Sequence, residues 1–410
     1  MEKRIYNLFF LLCLVLSGIS PLKTTRVELG NELFLKEFPR ELQKKRLGLL
    51  INQTSILPGG KSLVEALLRE GHDIQAIFTP EHGLSGTIEA GFEVEDSQYK
   101  SIPIYSLYGK VSRPTPEQIE NVDALIYDIQ DVGTRFYTYI STLKYVLEAA
   151  AEARIPVYVL DRPNPLGGEI IEGPLLKRNL ESYFGALPIP IRYGLTPGEL
   201  AMMMKGEGWV PENVNLHVTK MKNWKRNSYW KETGLPWIPP SPNMPTAETA
   251  IVYPGTGLLE AININEGRGT SSPFLQFGAP WFNPEPIIKI LKDANEFSVE
   301  FESVKFVPLS LPGKALAPLY QSQTCLGIRV HVSREEKFYS LRFGLALIKA
   351  VKEYHSQKFL PNSQRLNLMF GNELLDSFLK GKITFPHLMA QMEEEENFFK
   401  EKRQKYLLYE

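Results

Sequence analysis

Residues 124–168 read ALIYDIQDVGTRFYTYISTLKYVLEAAAEARIPVYVLDRPNPLGG. Ala124–Tyr127 is a short apolar run, as expected of a buried strand, and Asp128 marks its tip. Phe136, Ile140, Leu143, Val146, Leu147 and Ala150 then recur at helical spacing, with Thr134 placed to cap the helix. Pro156 bars continuation of that helix. Val157–Leu160 is a second strand, and Asp161 marks its tip. Strand, helix, strand in this rhythm is the unit of a parallel sheet. Crossovers between parallel strands are right-handed, so the C-terminal strand ends share one edge. Ligands of such folds bind along that edge.

The same rhythm extends toward the N-terminus. Arg46–Ile51 reads as a strand ending at Asn52, Gln53 and Thr54, and residues 62–70 as a short helix stopped by Gly71. Ile74–Phe78 is a strand followed by the loop Pro80–Gly86, and Ile102–Tyr105 a further short strand ending near Tyr108. The expectation is an α/β protein with a Rossmann-like parallel sheet. The second half differs. Pro and Gly are dense over residues 188–197 and 236–254, and Trp224, Trp230 and Trp237 cluster. Short β-like pieces recur at 214–218, 259–264 and 327–332, a long amphipathic helix spans about 338–354, and a charged helix starts near Pro386. These features predict a smaller α+β domain over 208–410 after a catalytic domain over 23–207.

Composition bounds the function. With 43% hydrophobic and 23% charged residues the chain resembles an ordinary globular protein. A formal net charge of -1 argues against nucleic acid or an anionic membrane as a bulk electrostatic partner. Residues 1–22 read as an export signal: Lys3 and Arg4 precede the apolar run Leu8–Leu16, and Ser17, Gly18 and Ser20 follow. The run is short for a spanning helix. The expected location is therefore periplasmic or extracellular, without stable membrane insertion once the signal is removed. That removal also takes Cys13 and leaves Cys325 alone, which excludes an intrachain disulfide or a thiolate metal cluster. Cys325 opens a β-like run and reads as a buried structural thiol.

Chemistry concentrates in five stretches. Pro80-Glu81-His82-Gly83 sets a carboxylate and an imidazole on a stiff turn, where they serve as acid and base or as metal ligands. Asp128 and Asp131 lie between a strand and a helix, where the dipole favours negative charge, and Asp131 is the more structural of the two. Arg135 either neutralises them or clamps a substrate carboxylate; Tyr137 and Tyr139 either stack on a sugar or pack. Asp161-Arg162-Pro163-Asn164 is a stiff loop, with Asn164 aimed at a ligand or serving its own backbone. Glu172, before Gly173 and Pro174, is a secondary carboxylate candidate. Ser241-Pro242-Asn243 and Asn265-Glu266-Gly267-Arg268-Gly269 complete the set, the glycine-flanked arginine suiting an anion. No Walker loop, dinucleotide fingerprint or His-Glu-x-x-His stretch occurs, so no cofactor and no resident metal is expected.

Together the strings PEHGLSG at Pro80, DIQDVGTRFYTYISTL at Asp128, LDRPNPLGG at Leu160, PPSPNMP at Pro239 and NEGRGTSSPF at Asn265 resemble the exo-β-N-acetylmuramidases of the NamZ (YbbC) family. The resemblance runs from about Leu47 to Val332. It implies release of N-acetylmuramic acid from the non-reducing ends of peptidoglycan fragments, in a cleft between a Rossmann-like domain and a second domain. Glu81 matches the family's glutamate in the Pro-Glu-His-Gly motif, and Asn265 stands where relatives carry Ser. On this basis Glu81 is the expected general acid, positioned by His82. Asp128 and then Glu266 are the candidates for the second group, unless the substrate's 2-acetamido group is the nucleophile. Arg135 or Arg268 would hold the lactyl carboxylate. Tyr108, Asn164 and Asn243 would bind hydroxyls, with Asp131, Tyr137, Asp161 and Asn265 lining the site. A metal-dependent hydrolase built on Glu81, His82, Asp128 and Asp131, and a non-catalytic muropeptide-binding protein, are the rival classes.

Overall fold

The computed structural model describes residues 26–294 and 297–410; the expected export signal lies outside the described residues. The main sheet has seven strands: β1 (Arg46–Ile51), β2 (Asp73–Thr79), β3 (Ser97–Tyr99), β4 (Ile102–Ser106), β5 (Ala124–Asp128), β6 (Val157–Leu160) and β7 (Leu216–Thr219). Their spatial order is β3-β4-β2-β1-β5-β6-β7. Every pairing is parallel except that of the edge strand β3 with β4. Leu49 of the central β1 faces Ile77 of β2 on one side and Ile126 of β5 on the other. Helices cover both faces, so the central strands are buried throughout; this is why they read as unbroken apolar runs rather than alternating ones.

The helix over Tyr139–Ala153 buries Ile140, Leu143, Val146, Leu147 and Ala150. It starts at Tyr139 rather than Phe136, and Thr134 does not cap it. The residue at its start, Thr138, spends its hydroxyl on Glu81 instead of on a backbone amide.

The second half carries an antiparallel sheet of three strands, β8 (Gln276–Ala279), β9 (Val299–Phe306) and β10 (Cys325–Val332), in the order β8-β10-β9. Cys325 is buried, and burial pushes its thiol up to about 11. The helices Ala247–Thr256 and Ser340–Tyr354 cross at a glycine pair. A Cβ added to Gly255 would lie 2.0 Å from the Ser340 carbonyl oxygen, and one on Gly344 would lie 2.5 Å from the Gly255 Cα.

Two further sequence expectations change. Residues 259–264 are not a strand: a tight helical turn over Gly257–Ala261 continues from the preceding helix and buries Leu258, Leu259 and Ala261. A short apolar run does not by itself distinguish the two forms. The β-like piece at 214–218 is β7, which pairs with β6, so the first sheet extends past residue 207. The C-terminus also returns to that sheet: Tyr409 donates its hydroxyl to Asp161, and the Leu408 amide donates to Glu199 Oε1 at 2.8 Å.

Candidate active site

At the C-terminal edge of the main sheet, β2 runs into Pro80 and Glu81. The chain then turns through two left-handed residues, His82 at φ 75° and Gly83 at φ 72°. This turn buries the Glu81 carboxylate. Glu81 Oε1 accepts from the Gly91 amide at 3.0 Å and Oε2 from the Thr138 hydroxyl at 2.7 Å. A hydroxyl can donate or accept, so the Thr138 contact serves both protonation states of the acid. His82 Nδ1 lies 2.6 Å from the Ile88 carbonyl oxygen and donates to it, which fixes the neutral tautomer. Burial, and secondarily the nearby Arg268, lower the His82 pKa against the pull of Glu81.

Glu81 and His82 open onto a cavity of about 330 Å³. The sheet side contributes Gly91, Phe136, Tyr137, Thr138 and Phe184, and the 241–244 loop contributes Ser241, Asn243 and Met244. The opposite wall comes from the second half: Tyr253, Glu260, Arg268, Phe274, Arg365, Leu368 and Met369. The cavity therefore lies between the two halves.

The far wall is charged. Arg268 Nη2 donates to Glu260 Oε1 at 3.1 Å, its Nε lies 3.4 Å from Glu266 Oε1, and its guanidinium sits 5.3 Å from the centre of the Phe274 ring. Arg365 pairs with the second oxygen of Glu260. Burial raises the Glu266 pKa, opposed by Arg268. Glu266 faces an adjoining hollow on the other side of Arg268, not the cavity holding Glu81. The loop that presents Arg268 is built by Asn265: its Oδ1 accepts from the Gly267 amide at 2.7 Å, and its Nδ2 donates to the Arg268 and Leu319 carbonyls. Gly267, at φ 87°, packs so tightly that a Cβ would lie 2.5 Å from the Gln276 carbonyl oxygen. Asn265 thus braces the loop and does not line the cavity that holds Glu81.

Of the residues singled out from sequence, Glu81, His82, Tyr137, Asn243 and Arg268 meet at this cavity. Tyr108 lines the hollow next to it. Asp128 does not join them. It is fully buried, ion-paired to Arg162 Nε at 2.6 Å and bonded to Asn31 Nδ2 at 3.0 Å. One strand, β1, separates its β5 tip from the β2 tip that carries Glu81.

Asp131 accepts from the Gly133 amide and the Tyr193 hydroxyl, and Asp161 from Thr196, Gly198 and Tyr409. Burial pushes their carboxyls up to about 6 and about 7. Asn164 serves its own turn and the Leu195 carbonyl. Arg135 is fully buried and donates to the carbonyls of Pro174, Ile189 and Met369, so it clamps backbone rather than substrate. Glu172 is locked by Arg192 and by the amides of Leu341 and Arg342. These polar groups hold loops together because the sheet edge is buried there, and a buried polar group requires partners. Glu260 and Arg365 carry no signal in the sequence. They lie 105 positions apart without a local motif, and only the fold pairs them.

Fold and site define an α/β protein of two unequal units with a buried acid and a guanidinium-bearing wall across one cleft. The chain belongs to the exo-β-N-acetylmuramidase NamZ family: the N-terminal family model matches residues 47–248 and the C-terminal model residues 251–409. It is 39% identical over 392 residues to the peptidoglycan β-N-acetylmuramidase NamZ of Bacillus subtilis (strain 168), covering 94% of this chain and 92% of that one. Two crystal structures of DUF1343 family proteins from Bacteroides fragilis share the fold. One aligns with a TM-score of 0.86 at 31% identity and the other with 0.76 at 30%, each covering 94% of this chain and 99% of the other.

Proposed function

We propose that this protein is an exported glycosidase that releases N-acetylmuramic acid from the non-reducing ends of peptidoglycan fragments. The observation that carries the reading is the buried Glu81 facing Arg268 and Arg365 across a cavity sized for one substituted sugar. Family membership supports the reaction, and the two arginines suit the lactyl carboxylate that distinguishes this sugar. The positively charged, then apolar N-terminus supports export. Among the described residues no helix is long and apolar enough to cross a membrane.

Glu81 protonates the leaving oxygen as the bond to C1 breaks. Asp128 and Glu266 do not line this cavity. Glu260, the other carboxylate that does, is held by two arginines. The substrate's own acetamido oxygen is then the nucleophile: it bonds to C1 as the leaving group departs. Water next attacks C1, its proton passes to the Glu81 carboxylate, and the ring formed with the acetamido group opens. Retention of configuration follows.

The metal-dependent alternative needed Asp128 and Asp131 beside Glu81, and both are committed to other networks. Among the described residues no group of three or more His, Cys, Asp or Glu is placed to hold a metal ion.

The test is hydrolysis of a chromogenic N-acetylmuramide by Glu81→Gln. The expected loss is about 10²- to 10⁴-fold in kcat with the fold intact. Full activity removes Glu81 from the mechanism, and binding without turnover by the wild-type protein favours the non-catalytic alternative. Proton NMR of the first-formed anomer checks retention.

A further inference from the structure

Past Glu81 the cavity continues into a second hollow of about 450 Å³, walled by Tyr108, Tyr145, Tyr183 and Phe184. Gly91 and Phe184 border both spaces. The Gly91 amide is also the donor to Glu81 Oε1, so the acid stands where the two spaces meet. The wall is a continuous set of rings. Tyr108 meets Tyr183 edge-on at 5.4 Å, and Tyr145 stacks on Tyr183 at 6.0 Å with 24° between planes. Tyr183 is pinned, its hydroxyl donating to the Leu107 carbonyl at 3.1 Å and lying 2.8 Å from the Thr142 hydroxyl. Phe184 leaves 45% of its surface exposed at the junction. The charges differ too. The first cavity carries Arg268 and Arg365, whereas the one carboxylate of the second, Glu93, is paired with Lys110 at 3.3 Å.

We propose that this aromatic trough is the leaving-group subsite and holds the neutral N-acetylhexosamine that follows the released muramic acid. The proposal rests on the muramidase reading above. A general acid must stand between the sugar that is released and the group that departs. With the acidic sugar facing the two arginines, the space on the other side of Glu81 takes the departing one. Aromatic faces match the C–H faces of a pyranose, and the tyrosine hydroxyls supply polar contacts at the ring edges. Peptidoglycan alternates muramic acid with N-acetylglucosamine, a neutral sugar that suits a trough with no arginine in its lining.

The test compares two substrates in wild-type, Tyr145→Ala and Tyr145→Phe protein. One is the disaccharide N-acetylmuramyl-N-acetylglucosamine. The other is methyl β-N-acetylmuramide, whose methyl group is too small to reach Tyr145. Tyr145→Ala is expected to lower kcat/KM for the disaccharide about tenfold more than for the methyl glycoside, chiefly through KM, and Tyr145→Phe to restore it. Parallel losses on both substrates, or no loss, overturn the subsite. Binding of free N-acetylglucosamine, followed by saturation-transfer NMR in Glu81→Gln protein, is the second measurement. Loss of the signal on adding Tyr145→Ala supports the trough, and an unchanged signal overturns it. If the wild-type protein cleaves neither muramide, the muramidase reading fails, and the NMR comparison still decides whether the trough binds the sugar.

Discussion

Arg365 is half exposed and reaches the cavity from the last fifth of the chain, where it shares Glu260 with the more buried Arg268. Removing Arg268 would leave the buried Glu266 without its arginine and confuse affinity with folding. Arg365 is the cleaner probe. Arg365→Met is expected to reduce the preference for a muramide over the matching glucosaminide about tenfold, the worth of one charge-assisted contact. An unchanged preference, measured as the ratio of kcat/KM values, removes this arginine from lactyl recognition. The sequence pointed to Glu81, His82 and Arg268 because a carboxylate, an imidazole or a guanidinium beside turn glycines is conspicuous. It pointed to Asp128, Arg135, Asp161 and Asn164 for the same reason, and the structure places these in buried networks away from that cavity. Polar residues at buried strand tips are conspicuous whether they face a ligand or satisfy a loop, and local spacing does not tell the two apart.

Two elements show how packing is set by the smallest residues. The helices Ala247–Thr256 and Ser340–Tyr354 touch through Gly255 and Gly344, and the first of them leads into the turn that carries Glu260. Gly344→Ala places a methyl against backbone at 2.5 Å. It is expected to destabilise by about 1–3 kcal/mol, read as a fall in the denaturation midpoint. Wild-type stability in that variant would mean that the helices separate freely. The strands flanking the long helix were legible because buried parallel strands are unbroken apolar runs bounded by Pro, Gly and Asp. The charged, alternating strand β9 gave no such signal, and the turn after Thr256 shares its apolar composition with a strand. The Tyr139 helix was recognisable by period, but its first residue was not, because Thr138 answers to Glu81 across 57 positions.

At the scale of the whole molecule the two halves are interleaved. The long helix Phe385–Lys402 sends Glu396 to the Gly173 amide at 2.7 Å, and Arg403 donates to the Gly194 carbonyl. The last residues then pack under β6 and β7: Tyr409 bonds Asp161 and packs edge-on to Trp224 at 5.0 Å, while Leu408 bonds Glu199. Deleting residues 407–410 is expected to cost about 3 kcal/mol or more, because it strips donors from two buried carboxylates. Unfolding of the truncated protein against full-length protein checks this, and equal midpoints would show the tail to be ornamental. Such long-range closure was illegible in the sequence, where the tail is a few unremarkable aromatic and apolar positions. It also orders events during folding. The Tyr409 hydroxyl and the Asp161 carboxylate it meets stand 248 positions apart, so this latch engages only once the chain between them has already collapsed into place.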